Sequence, residues 1–233
     1  MSDHIAIVGG TGDLGFGIAL RLARAGRRVV IGSRSAEKAA DAVARAKERI
    51  GDDAPVEGVE NPEAVADARV AFVTVPYAGQ AATYKGLKDY WAQGAIVCDT
   101  TTPLATAVGA AATQVLRPWQ GSAAEQAASY LPDHLAFVSG FHTVSAEDLE
   151  DLDDDPSSDV LLCGSDAEAK AAIGELVERM AMRWVDCGPL TMARILEPIT
   201  AVLIRVNRTY GIRHAGVRMT GRDTWGPGGA ATE

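Results

Sequence analysis

The run His4-Ile5-Ala6-Ile7-Val8-Gly9-Gly10-Thr11-Gly12-Asp13-Leu14-Gly15 decides the fold. A strand-like stretch, His4–Val8, leads directly into an intact G-x-G-x-x-G at Gly10, Gly12 and Gly15. Apolar residues at helical spacing follow over Ile18–Ala25. Alone, the glycine pattern is weak. Between a strand and a helix it is the fingerprint of a dinucleotide-binding βαβ unit. Gly10 permits the tight turn, Gly12 lets the backbone approach a pyrophosphate, and Gly15 lets the helix lie close to the strand. The helix N-terminus then faces the phosphates.

The second strand, Arg28–Ile31, selects the dinucleotide. A site for NAD usually ends this strand in an acid that accepts hydrogen bonds from the ribose hydroxyls. Here the strand runs into Gly32-Ser33-Arg34, with Lys38 one helical turn further on. A hydroxyl and two cations in that place suit a 2′-phosphate and leave a plain ribose unrecognised. The cofactor read from these residues is NADP(H).

The alternation continues outward. Helix Glu37–Ile50 is followed by a weaker strand at Val56–Val59 and a short helix opened by Asn61, as cap, and Pro62. Val70–Val75 reads as a buried strand, Gln80–Trp91 as a helix and Ala95–Cys98 as a strand. Ser122 and Glu125 form a capping box before Leu135–Val138, again a strand. The pattern predicts an α/β fold of Rossmann type, doubly wound, with a mostly parallel sheet and a small C-terminal α/β extension. Residues 1–145 are read as the NADP-binding domain, 146–223 as a smaller C-terminal domain and 224–233 as a flexible tail.

The C-terminal part changes character. Ala146–Asp159 holds eight acids and no Lys or Arg, which reads as a solvated loop. Val160–Cys163, Ala167–Met182 and Arg183–Asp186 read as strand, helix and strand, and a long apolar helix spans Pro189–Tyr210. That helix is too apolar to stand alone, so a homodimer is expected to cover it. Between Arg179 and Arg222 eight arginines face only Asp186 and Glu197. Either this cationic stretch meets an anionic ligand, or it neutralises the acidic loop or sits at a subunit interface.

Composition narrows the function. The 233 residues carry 22 Lys and Arg against 31 Asp and Glu, a formal charge of −9. Such an acidic balance argues against a nucleic-acid or anionic-membrane binder. The three widely spaced cysteines, without a C-x-x-C pair, argue for reduced thiols, and the four histidines form no metal-binding pattern. With no basic leader and no long apolar segment at the N-terminus, the expected setting is the cytoplasm.

Two oxidoreductase signatures fail. Tyr84 and Lys88 match Y-x-x-x-K, the carbonyl-protonating pair of short-chain dehydrogenases, but the glycine motif has the wrong spacing for that family and the Tyr comes too early. The pair reads as a helix-surface feature. Phe137–Leu149 contains no Lys of the kind larger hydroxyacid dehydrogenases use as proton donor.

From about His4 to Met219 the chain resembles the NADPH-dependent F420 reductases, a family exchanging hydride between NADP(H) and the deazaflavin coenzyme F420. The resemblance rests on Val8–Gly15, Ile31-Gly32-Ser33-Arg34 with Lys38, Val75-Pro76-Tyr77 and Ser122-Ala123-Ala124-Glu125. It extends through Phe141-His142-Thr143-Val144 and Cys187-Gly188-Pro189-Leu190 with Arg194 and Glu197. It implies that Thr11, Gly12, Asp13 and Leu14 bind the pyrophosphate and that Ser33, Arg34 and Lys38 bind the 2′-phosphate. By the same resemblance Pro76, Tyr77 and Pro103 belong to the cofactor site, the two prolines beside the nicotinamide, which the Ala146 backbone touches. His142 falls near the deazaflavin, as a hydrogen-bonding or proton-accepting group, and Ala215 where the C-terminal segment closes over that ring. Ser145 stands where the family often has Pro. Direct ring-to-ring hydride transfer needs no acid for a carbonyl oxygen, which agrees with the missing Tyr/Lys pair. Two other readings stay open: an NADP-dependent reductase of an imine, ketone or ferric substrate, and a non-catalytic NADP(H)-binding sensor.

Overall fold

A computed structural model describes residues 4–221. Arg222, and the stretch 224–233 read as a tail, lie outside the described residues. Six parallel strands form the main sheet: β1 (Ile5–Val8), β2 (Val29–Ser33), β3 (Val56–Glu60), β4 (Val70–Val73), β5 (Ile96–Asp99) and β6 (Ala136–Ser139). The spatial order is β3-β2-β1-β4-β5-β6, the doubly wound arrangement expected. The sheet then continues through β7 (Asp159–Gly164), antiparallel to β6, and β8 (Arg183–Asp186), parallel to β7.

Alternation along β1 explains the two layers. Ile5 and Ile7 pack on one face with α1 (Asp13–Arg24), α2 (Ala36–Ile50) and α7 (Ala167–Arg179), through Phe16, Leu22, Ala42 and Ile173. Ala6 and Val8 point to the other face, against Ala64 of α3 (Asn61–Val65), Tyr84 and Leu87 of α4 (Tyr77–Leu87), and Ala127 of α5 (Ala123–Ala128). Period-two side-chain direction on strands buried from both sides produces this division.

Several local expectations change. Asn61 does not cap α3. Glu60 holds the N-cap position, and the Asn61 side chain is buried instead, with Oδ1 accepting from the Gly9 backbone N–H at 3.2 Å. Tyr84 is not a surface residue but fully buried, its hydroxyl donating to Asp99 Oδ2 at 2.8 Å. About a third of the acidic stretch forms α6 (Ala146–Glu150), and Asp159 is buried at the start of β7.

Its missing cation comes from α1. The buried Arg21 guanidinium donates to the backbone carbonyls of Asp148, Leu149, Asp151 and Asp154, while Arg24 reaches that of Leu152. Burial lowers the Arg21 pKa, and the carboxylates of Asp155, Asp151 and Asp148 oppose that fall. At Gly17 an added Cβ would lie 2.6 Å from Leu149 Cβ, so a glycine is what lets α6 settle onto α1. The last helix begins as a 3₁₀ turn at Leu190–Met192 and continues as α8 (Ala193–Tyr210). Among the described residues, no helix is long and apolar enough to cross a membrane.

Candidate active site

The chain reverses its winding between β1 and β4, and open α/β sheets bind ligands at the carboxyl ends of strands beside such a switch. The glycine loop sits there. Gly10 N–H donates to the carbonyls of Ile7 and Gly32, both at 3.0 Å, closing the turn between β1 and β2. A Cβ on Gly15 would fall 2.3 Å from Thr74 Oγ1 and 2.9 Å from Gly10 Cα, so the helix could not approach with any larger residue. Gly12 behaves differently. Its Cβ would meet only Gly9 O, at 3.6 Å, and no side chain caps the α1 N-terminus that it begins. Open space over uncapped helical N–H groups fits an anionic pyrophosphate. Thr11 is half-buried, Gly12 and Asp13 exposed, and Leu14 half-buried against the core.

Ser33 ends β2, buried, its Oγ accepting from Ser35 N–H at 3.3 Å. Ser35 caps α2, accepting from Lys38 N–H. Arg34 and Lys38 project into solvent beside it. A loop-borne guanidinium and a first-turn ammonium, flanking a strand end without an acid, leave room for a doubly charged phosphate.

The residues expected on the acceptor side come from four elements. After β6, Phe141 adopts φ +67°, rare for a bulky residue, and its ring packs edge-on against Phe72 at 5.7 Å. The turn brings the buried His142 back to Ser139 at the end of β6. There Nε2 lies 2.9 Å from Ser139 Oγ and Nδ1 3.3 Å from Thr102 Oγ1. Burial lowers the His142 pKa from 6.5 to about 4, so the ring is neutral at physiological pH. Thr200 of α8 donates to the His142 carbonyl at 2.7 Å.

His142, Ala146 and Ala215 line one cavity of about 600 Å³ together with Asp13, Thr200 and Asn207. The α1 N-terminus, the segment after β6, α8 and the chain beyond α8 thus converge. Pro76 caps α4 at the end of β4, exposed, and the Tyr77 hydroxyl donates to Gln126 at 2.8 Å. Pro103 is buried and borders a second cavity with Glu197 and Pro198 instead. Behind it, Glu197 takes the N–H groups of Ala123 and Ala124, each at 2.9 Å, and burial raises its pKa to about 8. Asp99, buried and bonded by Tyr84, Gln80 and Thr101, is raised to about 6.

Part of the cationic stretch faces the acidic one. Arg213 lies 3.7 Å from Glu147, His214 2.5 Å from Asp148, and Arg183 2.7 Å from Asp159. Sequence reasoning missed Asn61, Thr74, Thr102, Thr200 and Asn207. A lone Thr or Asn on a helix or strand end carries no periodic signal, and only the tertiary fold gives these a partner.

Comparison with known proteins gives a consistent picture. Residues 4–103 match the family of coenzyme F420-dependent NADP oxidoreductases. A Methanothermobacter thermautotrophicus protein named F420-dependent NADP reductase is 40% identical, covering 93% of this chain and 94% of its own. A protein of the same name from Methanocaldococcus jannaschii is 42% identical over 93% and 97% of the two chains. A crystal structure from Arthrobacter sp. FB24 superposes with a TM-score of 0.75 at 24% identity, covering 93% of this chain and 98% of that one, and supports the fold.

Proposed function

The chain belongs to the coenzyme F420-dependent NADP oxidoreductase family, and on that premise we propose that it exchanges hydride between NADP(H) and coenzyme F420. The observation that carries this reading is the convergence of Asp13, His142, Ala146 and Ala215 on one cavity in a chain similar to F420-dependent NADP reductases over nearly its full length. NADPH supplies hydride from nicotinamide C4 and oxidised F420 takes it at C5 with one proton from solvent, giving NADP⁺ and reduced F420.

The protein's own work is placement. In this reading residues 1–145 hold NADP(H): Gly10–Gly15 take the pyrophosphate, Ser33, Arg34 and Lys38 the 2′-phosphate, and Pro76 and Pro103 bound the nicotinamide half, with Tyr77 also in the cofactor site. Residues 146–223 complete the acceptor side, with Ala146 and Ala215 both lining the cavity. Neutral His142, already hydrogen-bonded at both ring nitrogens, orients the acceptor wall and does not store a proton. Correct stacking of two reactants at near-attack distance can itself supply roughly 7–11 kcal/mol. A protein acid is superfluous, in keeping with Tyr84 being sealed against Asp99.

The α8 surface supports a homodimer. Ile195, Ile199, Val202 and Val206 recur at alternating four- and three-residue spacing, and Ile195 and Val202 are 60% and 59% exposed. Such a stripe is the seam of a helix pair. Three free cysteines support a cytoplasmic setting. An anaerobic assay of NADPH oxidation by F420 tests the activity itself.

A further inference from the structure

Two polar residues of α8 reach two different walls of the acceptor cavity. Thr200 and Asn207 both line it, seven residues and therefore about 10.5 Å apart along the helix. Thr200 Oγ1 donates to the His142 carbonyl at 2.7 Å, fixing the wall that follows β6. Asn207 holds the chain beyond α8 with both ends of its amide. Its Oδ1 accepts from Ala215 N–H at 3.0 Å and its Nδ2 donates to the Arg213 carbonyl at 3.4 Å.

The sequence suggests a flexible stretch here, yet the chain beyond α8 is tied down on both sides of Ala215. Downstream, Asp159 N–H donates to the Val217 carbonyl and Met219 N–H to Asp159 Oδ2, both at 2.7 Å. At Gly216 an added Cβ would lie 2.5 Å from Ser158 Cβ and 3.4 Å from the Thr143 carbonyl oxygen, so the backbone runs hard against the residue before β7 and beside the segment after β6. The Arg213–Glu147 ion pair and the His214–Asp148 contact also join this strap to α6, but Arg213 and His214 are exposed, where such contacts contribute little. The half-buried amide of Asn207 is the upstream tie that salt does not loosen.

We infer that Asn207, with Thr200 as its counterpart at the His142 carbonyl, is the positioning residue that holds Ala215 in place beside His142–Ala146, and so sets the shape of the cavity offered to a flat, tricyclic acceptor ring. The inference rests on the proposed hydride exchange with F420. It assigns Asn207 no contact with reacting atoms. Its effect is to spare the acceptor the cost of ordering the strap, so its loss should appear in acceptor affinity and leave turnover at saturation alone.

Hydrogen exchange at the Ala215 amide, without ligand, and fluorescence titration with F420 test this together. Asn207→Leu keeps bulk and removes both hydrogen bonds, whereas Asn207→Asp keeps the acceptor for Ala215 N–H. The expected result is faster Ala215 exchange and about tenfold weaker F420 binding in Asn207→Leu. NADPH affinity and saturated kcat should stay within twofold, with substantial recovery of both F420 affinity and amide protection in Asn207→Asp. Faster exchange with unchanged F420 affinity would overturn the inference while leaving the proposed function intact. Equal loss of NADPH and F420 binding would overturn it too, marking Asn207 as a general structural residue. If the unmutated protein itself does not bind F420, the proposed function falls first and this inference with it.

Discussion

Ser139 Oγ lies 2.9 Å from His142 Nε2, and both residues are buried. One hydrogen arrangement satisfies the surrounding group. Thr200 donates to the His142 carbonyl, so the 3.1 Å Thr102–Thr200 contact uses the Thr102 proton. In that arrangement Nδ1–H of His142 donates to Thr102 and Ser139 donates to Nε2, and the Thr100 backbone lies within hydrogen-bonding reach of the same ring. The imidazole is thereby fully engaged as a neutral brace, and its lowered pKa of about 4 keeps it so.

This brace gives a prediction. His142→Gln, which stays neutral and hydrogen-bonding, should keep F420 turnover within about tenfold, and His142→Ala should lose more by removing the partner of Ser139 and one of the two partners of Thr102. Neither should change NADPH affinity. A proton-accepting role would instead cost Gln roughly 10²–10⁴-fold and put a His142-dependent inflection in the turnover profile near neutral pH.

The nucleotide site predicts its own preference. NADP(H) should exceed NAD(H) by roughly a hundredfold in kcat/KM, and Arg34→Ala with Lys38→Ala should erase this mainly through KM. Gly12→Val should fold, since its Cβ has free space, yet lose NADPH binding in calorimetry. Equal use of both dinucleotides, or undiminished NADPH binding by the Val variant, would refute the site.

Stability should depend on Glu197. Burial raises its pKa from 4.5 to about 8, so between those values the folded state binds more protons than the unfolded one and stability falls as pH rises. Asp99, raised from 3.8 to about 6, acts in the same sense over a lower range. His142, lowered from 6.5 to about 4, acts oppositely, and only below pH 6.5. Above that, Glu197 stands alone among the three. The melting temperature should decline from pH 6.5 to 8 and the decline should flatten in Glu197→Gln; a flat profile in the unmutated protein would contradict it.

The α8 stripe predicts association. Ile195→Lys with Val202→Lys places two charges in the seam without touching Thr200 or Asn207. Sedimentation should show a dimer for the unmutated protein and a monomer for the double variant. A monomeric unmutated protein would rule out the seam.

Much of this architecture was legible in the sequence because it is written in short-range patterns. Gly10, Gly12 and Gly15 between a strand and a helix specify the first βαβ unit, and Ser33 with Arg34 specifies the strand end. What the sequence hid depends on partners far along the chain. Asn61 reads as a helix cap until the fold brings Gly9 to it, and Tyr84 reads as a surface residue until Asp99 lies above it. The acidic stretch lacks cations of its own because Arg21, more than 120 residues earlier, supplies one. Asn207 gains its meaning only when the chain turns back past α8.

The most direct measurement is anaerobic mixing of the purified protein with NADPH and oxidised F420, following deazaflavin absorbance. Hydride exchange predicts loss of the oxidised deazaflavin band in step with NADPH, reversed when reduced F420 meets NADP⁺. Tight NADPH binding with no change in that band, or turnover only with an imine, ketone or ferric acceptor, would contradict it.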